Sequence, residues 1–177
     1  MLIARELRKT NIVEYLLYMW QVEDLIRAAH FDADALTAAA APAGTDAATM
    51  AEIRKWYGEL IDMMTQEQVR ESGHLQINRN ILILLSDIHA ANMKDEERQD
   101  YRDVYYRALP VIVSYRAKSD DLSRNEIESC MEFMYGIWML RLQKRVISEG
   151  TADAAGRISA LLAHLAADYA NERNGLK

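Results

Sequence analysis

The sequence is poor in the residue types that support disulfide scaffolds and tight turns. Its 177 residues include one cysteine, seven glycines and two prolines. The single Cys130 has no partner within the chain, which excludes an internal disulfide framework. The many short turns of a β-sandwich or β-barrel need glycine and proline, so their scarcity argues against both classes. Because 50% of the residues are hydrophobic, the composition also differs from that of an intrinsically disordered protein.

Long hydrophobic runs and an excess of positive charge are also missing. The longest apolar runs, residues 15–20 and 133–140, are far shorter than the ~20 residues of a transmembrane helix. No secretory signal follows the basic residues near the N-terminus. The 21 basic and 27 acidic residues give a net charge of -6, which disfavours nucleic acid and anionic lipid. We therefore expect a soluble, cytoplasmic protein with neither nucleic acid nor a membrane as partner.

Motifs for catalysis and cofactor binding are absent as well. The sequence has no glycine-rich phosphate loop, no G-x-S-x-G nucleophile motif and no paired cysteines. Glu71 and His74 have the acid-x-x-His spacing of carboxylate-bridged di-metal bundles, but those sites use the motif twice. Gly73, between the two residues, is also expected to end a helix there. The sequence therefore predicts no metal site and no cofactor.

Helical periodicity runs along nearly the whole chain. Apolar residues recur at spacings of three and four. Residues 32–48 form an alanine-rich connecting segment with a weak helical turn. Pro110 lies within an apolar stripe and predicts a kink, or two helices joined at that point. We predict an all-α fold in which residues 1–177 form a single domain, an antiparallel bundle of six to seven helices.

Capping and stop signals give the expected bounds of these helices. Asn11, Thr49 and Ser123 each precede a glutamate by three residues, the pattern of reciprocal helix capping. The helix from Thr49 is expected to reach about Glu71, and the helix from Ser123 about Ser148. The expected length of the helix from Ser123 places Arg141, Lys144 and Arg145 inside it.

Three charged residues fall inside apolar stripes, where leucine would be expected. Glu23 lies in the middle of the apolar arc of the helix that starts near Asn11, while Arg141 and Arg145 continue the stripe of the helix from Ser123. Because a charge is almost never fully buried without a partner, we expect Glu23 to pair with Arg141 or Arg145. In a structural interpretation the pair fixes helix register. In a functional one, the two arginines outnumber the acid and bind a carboxylate or phosphate ligand.

Polar side chains also follow one edge of the helix predicted over residues 74–92. His74, Asn78 and His89 lie on this edge, beside an Ile/Leu stripe. We predict that they line a pocket, with a capping or core-edge role as the structural alternative for the histidines. The predicted ligand-binding set therefore comprises Glu23, His74, Asn78, His89, Arg141 and Arg145.

Five blocks of the sequence resemble a bacterial family known only as a domain of unknown function. These blocks are NIVEYLLYMWQVEDLIRA (residues 11–28), ESGHLQIN (71–78), ALPVIV (108–113), NEIESC (125–130) and YGIWMLRLQKRVIS (135–148). The resemblance spans most of the chain and implies an intracellular, all-helical single domain. It implies no activity, cofactor or site residue.

Two classes of function fit these observations. The first is a non-enzymatic helical module, expected to be a homodimer because of its large aromatic area, that acts through a protein partner or by binding a small anionic ligand. The second is an enzyme with an interhelical pocket built from Glu23, His89 and Arg141, hydrolase-like and with metal dependence left open. An open pocket with convergent polar groups favours the enzyme, whereas a closed core favours the module.

Overall fold

The described part of the chain is entirely helical. The computed structural model describes residues 2–118 and 124–175, and it has eight α-helices and no strand in those ranges. In chain order they are α1 (Leu2–Thr10), α2 (Ile12–Ala28), α3 (Ala33–Ala40), α4 (Ala47–Gln66), α5 (Gln76–Lys94), α6 (Gln99–Arg116), α7 (Glu126–Leu142) and α8 (Glu149–Gly175). The all-α prediction is confirmed. The number of helices exceeds the predicted six to seven because the segment predicted as a weak turn forms a helix, α3.

The helices divide into two compact units. The first comprises Met1–Lys9 and Glu14–Asn80, and the second comprises Thr10–Val13 and Ile81–Lys177. The single domain predicted from the sequence stays a prediction. Measured against the length and hydrophobicity that a bilayer-spanning segment needs, every helix in the described ranges falls short.

Each unit has its own buried apolar side chains. In the first unit α3 packs on α4, and in the second unit α6, α7 and α8 pack on one another. The largest fully buried apolar side chains of the first unit are Leu16, Trp20, Ile26, Met64 and Leu75. Those of the second unit are Leu85, Tyr101, Ile112, Ile127, Met131, Ile158 and Leu161. Burial of such side chains supplies most of the free energy that holds each unit together.

Side-chain caps begin three of the helices near the predicted positions. The Asn11 side chain accepts a hydrogen bond from the Val13 N–H at 3.1 Å, so the cap predicted for α2 is confirmed. The cap of α4 is Asp46 rather than Thr49, because Asp46 accepts from the Thr49 N–H at 2.9 Å. Asn125 caps α7 in the same way, and the predicted cap Ser123 lies outside the described residues. Each carboxylate or amide oxygen satisfies an N–H that has no partner within its helix.

Two helices end earlier than predicted, and neither ends at a glycine. The helix α4 stops at Gln66, because Gln68 takes φ +59° and the Val69 N–H bonds back to the Met64 carbonyl at 3.0 Å. The helix α7 stops at Leu142 for the same reason, with Lys144 at φ +54°. A residue in the left-handed conformation ends a helix whatever its side chain. Glycine is the usual signal for such an end, and the next glycines are Gly73 and Gly150. The ends predicted from the sequence therefore lie too late in the chain.

Pro110 lies inside one uninterrupted helix. The helix α6 runs through it from Gln99 to Arg116, so the alternative of two joined helices is wrong. Proline lacks the N–H that would bond to the carbonyl one turn earlier. The ring is on the exposed side of α6, where solvent can satisfy that carbonyl. The predicted kink stays a prediction.

Candidate functional site

A fully buried carboxylate lies at the centre of the first unit. The side chain of Glu23 on α2 is 0% exposed. Its Oε1 accepts hydrogen bonds from the Leu75 N–H at 3.0 Å and from Asn78 Nδ2 at 2.7 Å. Its Oε2 lies 2.6 Å from His74 Nδ1. The prediction that Glu23 is buried and paired is therefore confirmed, although the partners differ from those expected.

The partners of Glu23 belong to the start of α5. The first N–H groups of a helix have no acceptor within it and carry the positive end of the helix dipole. Glu23 satisfies the N–H of Leu75, and Glu67 satisfies that of Gln76 at 2.6 Å. The two carboxylates that cap this helix thus lie 52 and 9 residues before the N–H groups that they accept from.

Arg27, one helical turn after Glu23, holds the loop that carries His74. Its Nη2 donates to the carbonyls of Val69 at 3.0 Å and Gly73 at 2.5 Å. Gly73 has φ +84°, a conformation that residues with a side chain rarely adopt. The Nε–H of Arg27 is buried and has no hydrogen-bond partner within the described ranges. The loop is therefore fixed on both sides of the turn that presents the histidine.

The imidazole of His74 is fixed in orientation and partly open to solvent. It stacks on Trp20 with ring centroids 4.2 Å apart and an angle of 11° between the planes. Its side chain is 28% exposed, and Nδ1 is the ring nitrogen that meets Glu23. No described residue hydrogen-bonds its Nε2. The geometry is that of a histidine oriented by a buried carboxylate, with its second nitrogen available.

Arg141 and Arg145 are not the partners of Glu23, and that prediction was wrong. Both arginines are exposed, and both oxygens of Glu23 have other partners. The physical reason is the early end of α7 at Leu142. Arg141 lies in the last turn and Arg145 lies beyond the helix, so the apolar stripe does not continue through them. Their predicted role in ligand binding stays a prediction.

His89 belongs to a separate polar network in the second unit. Its Nδ1 lies 2.7 Å from the hydroxyl of Tyr101, and its Nε2 lies 3.7 Å from Glu126. Burial lowers the pKa of His89, and the nearby Glu126 carboxylate opposes this effect in part. The Tyr105 hydroxyl donates to Glu126 at 2.8 Å, and burial raises the pKa of both tyrosines. Within the second unit His89 therefore has polar partners at both ring nitrogens, Tyr101 and Glu126.

The enzyme interpretation required Glu23, His89 and Arg141 to share one pocket. Within the first unit Glu23 accepts a hydrogen bond from Asn78 and lies against His74. Within the second unit His89 contacts Tyr101 and Arg141 is exposed. The shared pocket stays a prediction. Within the described ranges, no group of three or more His, Cys, Asp or Glu side chains is arranged to hold a metal ion.

A groove with two arginines lies on the surface of the second unit, between α6 and α8. It has a volume of about 320 Å³ and is lined by Val104, Arg107, Asp153, Gly156, Arg157 and Ala160. Arg157 Nη2 pairs with Asp153 at 2.9 Å. The side chain of Arg107 is exposed and forms no hydrogen bond or ion pair with the described residues. The groove therefore has two guanidinium groups and one carboxylate, and one guanidinium is available.

Comparison with protein families identifies the chain. The profile of a domain of unknown function, DUF4924, matches residues 1–176. The chain belongs to the DUF4924 family. The resemblance to an uncharacterised family is confirmed, and the match extends over nearly the whole chain. No curated protein and no solved structure matches it, so the site residues of this DUF4924 domain must be argued from its own geometry.

Sequence reasoning missed several residues of these sites. Trp20 and Arg27 were not in the predicted set, although they lie three residues before and four residues after Glu23 on α2, on the same face of the helix. That spacing could have indicated a shared environment for the three side chains. Asp153 and Arg157 on α8 have the same kind of spacing. Arg107 carries no such signal, because only the packing of α6 against α8 brings it to the groove of this DUF4924 domain.

Proposed function

We propose that this domain is a non-enzymatic module that binds a small anionic ligand in the groove between α6 and α8. The observation that carries the proposal is the presence of Arg107 and Arg157 in one groove of about 320 Å³. A guanidinium group binds carboxylate or phosphate oxygens through two parallel hydrogen bonds. The groove carries a net charge of +1 on a chain whose net charge is -6, which favours an anion at this place.

The apolar residues that line the groove indicate what the ligand carries besides its charge. Val104, Gly156 and Ala160 offer small apolar surfaces beside the arginines. Gly156 and Ala160 are one turn apart on α8, and a Cβ at Gly156 would meet no atom within 4 Å. These small side chains leave room for an apolar group next to the charge. We therefore propose a carboxylate with a short apolar body as the ligand class.

Asp153 supports this arrangement rather than opposing it. Its carboxylate accepts from Arg157 at 2.9 Å one turn away on α8, which holds that guanidinium at the groove. Arg157 has donors left after this contact because a guanidinium has five N–H groups. Arg107 supplies the group that is not neutralised. A neutral alcohol of the same shape accepts only a hydrogen bond without charge assistance from either arginine, which gives the experiment its first control.

Isothermal titration calorimetry with octanoate tests the proposal, with 1-octanol as the neutral analogue. Octanoate should bind the full chain more tightly than 1-octanol. The Arg107→Gln variant should bind octanoate about tenfold more weakly or worse, since a hydrogen bond to a charged group is lost. The Gly156→Leu variant should lose binding, because its side chain fills the groove while both arginines remain.

Gly136→Leu is the matched control. Gly136 is an exposed helical glycine on α7 with no atom within 4 Å of a built Cβ, like Gly156, but it does not line the groove. Its variant should bind octanoate as the wild type does. The proposal is overturned if octanoate and 1-octanol bind equally, if neither binds, or if Gly156→Leu and Gly136→Leu behave alike.

The setting that we propose for this module is the bacterial cytoplasm, and we propose a homodimer as its assembly. The free, buried Cys130 suits a reducing compartment. Several large apolar side chains are exposed, among them Tyr106 and Val113 on α6, and a self-association surface accounts for such residues. Light scattering on the purified chain tests the dimer. A clean monomer at high concentration contradicts it.

A further inference from the structure

We propose that His74 is the proton-accepting group of a second ligand site, in the first unit, and that Glu23 is its positioning residue. The ligand would present an N–H or O–H donor to Nε2 of His74. The proposal does not depend on the groove between α6 and α8, because it concerns other residues and a ligand of opposite hydrogen-bonding character.

The contacts of Glu23 determine which nitrogen of His74 carries the proton. Oε1 accepts from two N–H donors, the backbone of Leu75 and Nδ2 of Asn78. Oε2 is the oxygen that faces Nδ1 of His74 at 2.6 Å. In the proposed arrangement Nδ1–H donates to this oxygen, since a carboxylate oxygen accepts hydrogen bonds. An imidazole that holds a single proton, on Nδ1, has its lone pair on Nε2.

The position of that lone pair is fixed before any ligand arrives. The stacking of the imidazole on Trp20 sets the plane of the ring, and Glu23 sets its rotation within that plane. Arg27 holds the carbonyl of Gly73, the residue before His74. With 28% of the side chain exposed, the ring is accessible without rearrangement. A preorganised acceptor of this kind loses little entropy on binding.

A second acceptor beside the same carboxylate supports the proposed ligand class. The amide of Asn78 is fully buried, and its Nδ2 is committed to Glu23. Its Oδ1 is buried and has no partner in the described ranges. A buried acceptor without a donor costs free energy unless water or a ligand supplies one. Nε2 of His74 and Oδ1 of Asn78 are thus two acceptor atoms without a donor in the described ranges.

The tautomer of His74 in the wild-type chain is the first test. Long-range ¹H–¹⁵N correlation spectra distinguish a protonated ring nitrogen from one with a lone pair. In spectra recorded at about pH 9, where an ordinary imidazole holds one ring proton, we expect His74 to show the proton on Nδ1 and the lone pair on Nε2. A spectrum with the proton on Nε2 overturns the proposal, and this measurement needs no variant.

Glu23→Gln provides the second test, because it changes the tautomer while keeping the shape. The remaining amide oxygen of Gln must accept from Leu75 and Asn78, so its NH₂ group faces Nδ1 of His74. Nδ1 then becomes the acceptor and the proton moves to Nε2. Diethyl pyrocarbonate modifies Nε2 only when this nitrogen carries the lone pair. Loss of the charge-assisted hydrogen bond to Nδ1 lowers the population of that tautomer, so modification should slow by about tenfold or more.

Glu67→Gln is the matched control for this experiment. Glu67 caps the same helix through the Gln76 N–H but does not contact His74. Its variant should keep both the tautomer and the modification rate of the wild type, measured at His74 by peptide mass spectrometry. The proposal is overturned if both variants slow modification equally or if neither does. If Glu23→Gln does not fold, the wild-type spectrum still decides.

Discussion

A buried carboxylate needs a hydrogen-bond donor for each of its oxygens, and Glu23 has three. Removing it would leave the donors of Leu75 and Asn78 in the interior, and that of the partly exposed His74, without an acceptor. Each unsatisfied buried donor costs about 1–3 kcal/mol. The loss of stability on removing Glu23 therefore comes mainly from the donors that are left unsatisfied, more than from the contacts of the Glu23 side chain itself.

We predict that Glu23→Ala lowers the free energy of unfolding by about 3 kcal/mol or more, as the sum of these unsatisfied donors. Urea denaturation measures the change, with the slope on denaturant concentration checked for constancy. Glu67→Ala is the comparison, since it removes an exposed cap from the same helix and should cost about 1 kcal/mol. Equal losses in the two variants would contradict the assignment of Glu23 as the central acceptor.

The sequence predicted a buried Glu23 and placed His74 and Asn78 in the same binding set, but it did not predict that these two residues are the partners of Glu23. A charge in the middle of an apolar arc is visible from helical periodicity alone, and Glu23 is indeed buried and paired. The choice of partner depends on where distant helices begin and end. His74 reaches Glu23 because α4 stops at Gln66 and leaves a loop before α5. Such tertiary information is not contained in the periodicity of any one segment.

At the scale of the helix, the ends of α4 and α7 explain why the partners predicted for Glu23 were wrong. Both helices end through a non-glycine residue with positive φ, Gln68 and Lys144. In α7 the Arg145 N–H bonds back to the Leu140 carbonyl at 2.9 Å, which closes the end of the helix. Side chains adopt this conformation at a cost, and glycine does not. Helical periodicity predicts each helix, and only the position of its end depends on this local backbone conformation.

We predict that Lys144→Gly raises the free energy of unfolding by about 0.5–1 kcal/mol, because it relieves the left-handed conformation at φ +54°. Arg145→Gly is the control. Arg145 is the next residue and is exposed like Lys144, but its φ is not positive, so glycine there only adds freedom to the unfolded chain.

Thermal or urea unfolding of the two variants beside the wild type measures the difference. Lys144→Gly should be the more stable of the two and should exceed the wild type. If Arg145→Gly is stabilised to the same extent, the effect does not come from the left-handed residue. The end of α7 at Leu142 would then need another explanation.

At the scale of the whole molecule, several acidic groups are buried in their neutral form. Burial raises the pKa of the Cys130 thiol from 9.0 to about 12, and Glu126 adds to the shift. Burial also raises the pKa of Tyr18 from 10.0 to about 12. The pKa values of Tyr101 and Tyr105 are raised for the same reason. Both compact units therefore contain groups that stay protonated in the folded chain at high pH.

This burial predicts a loss of stability in alkaline solution. Above the ordinary pKa of each group the unfolded chain releases a proton that the folded chain keeps, so unfolding becomes linked to proton release. The stabilisation is complete below about pH 9 and is lost as the pH rises towards about 12. Each group that ionises only in the unfolded chain adds about 1.4 kcal/mol per pH unit to the slope.

Cys130→Ala isolates the contribution of the thiol to this slope. The variant leaves a small cavity that lowers stability by the same amount at every pH, whereas the thiol contributes only above about pH 9. Urea denaturation between about pH 8 and pH 11 should therefore show a shallower fall for Cys130→Ala than for the wild type. General repulsion in an acidic chain acts on both proteins alike and cancels in the comparison. Parallel slopes would contradict the burial of Cys130, as would rapid reaction of the native thiol with a disulfide reagent before the chain unfolds.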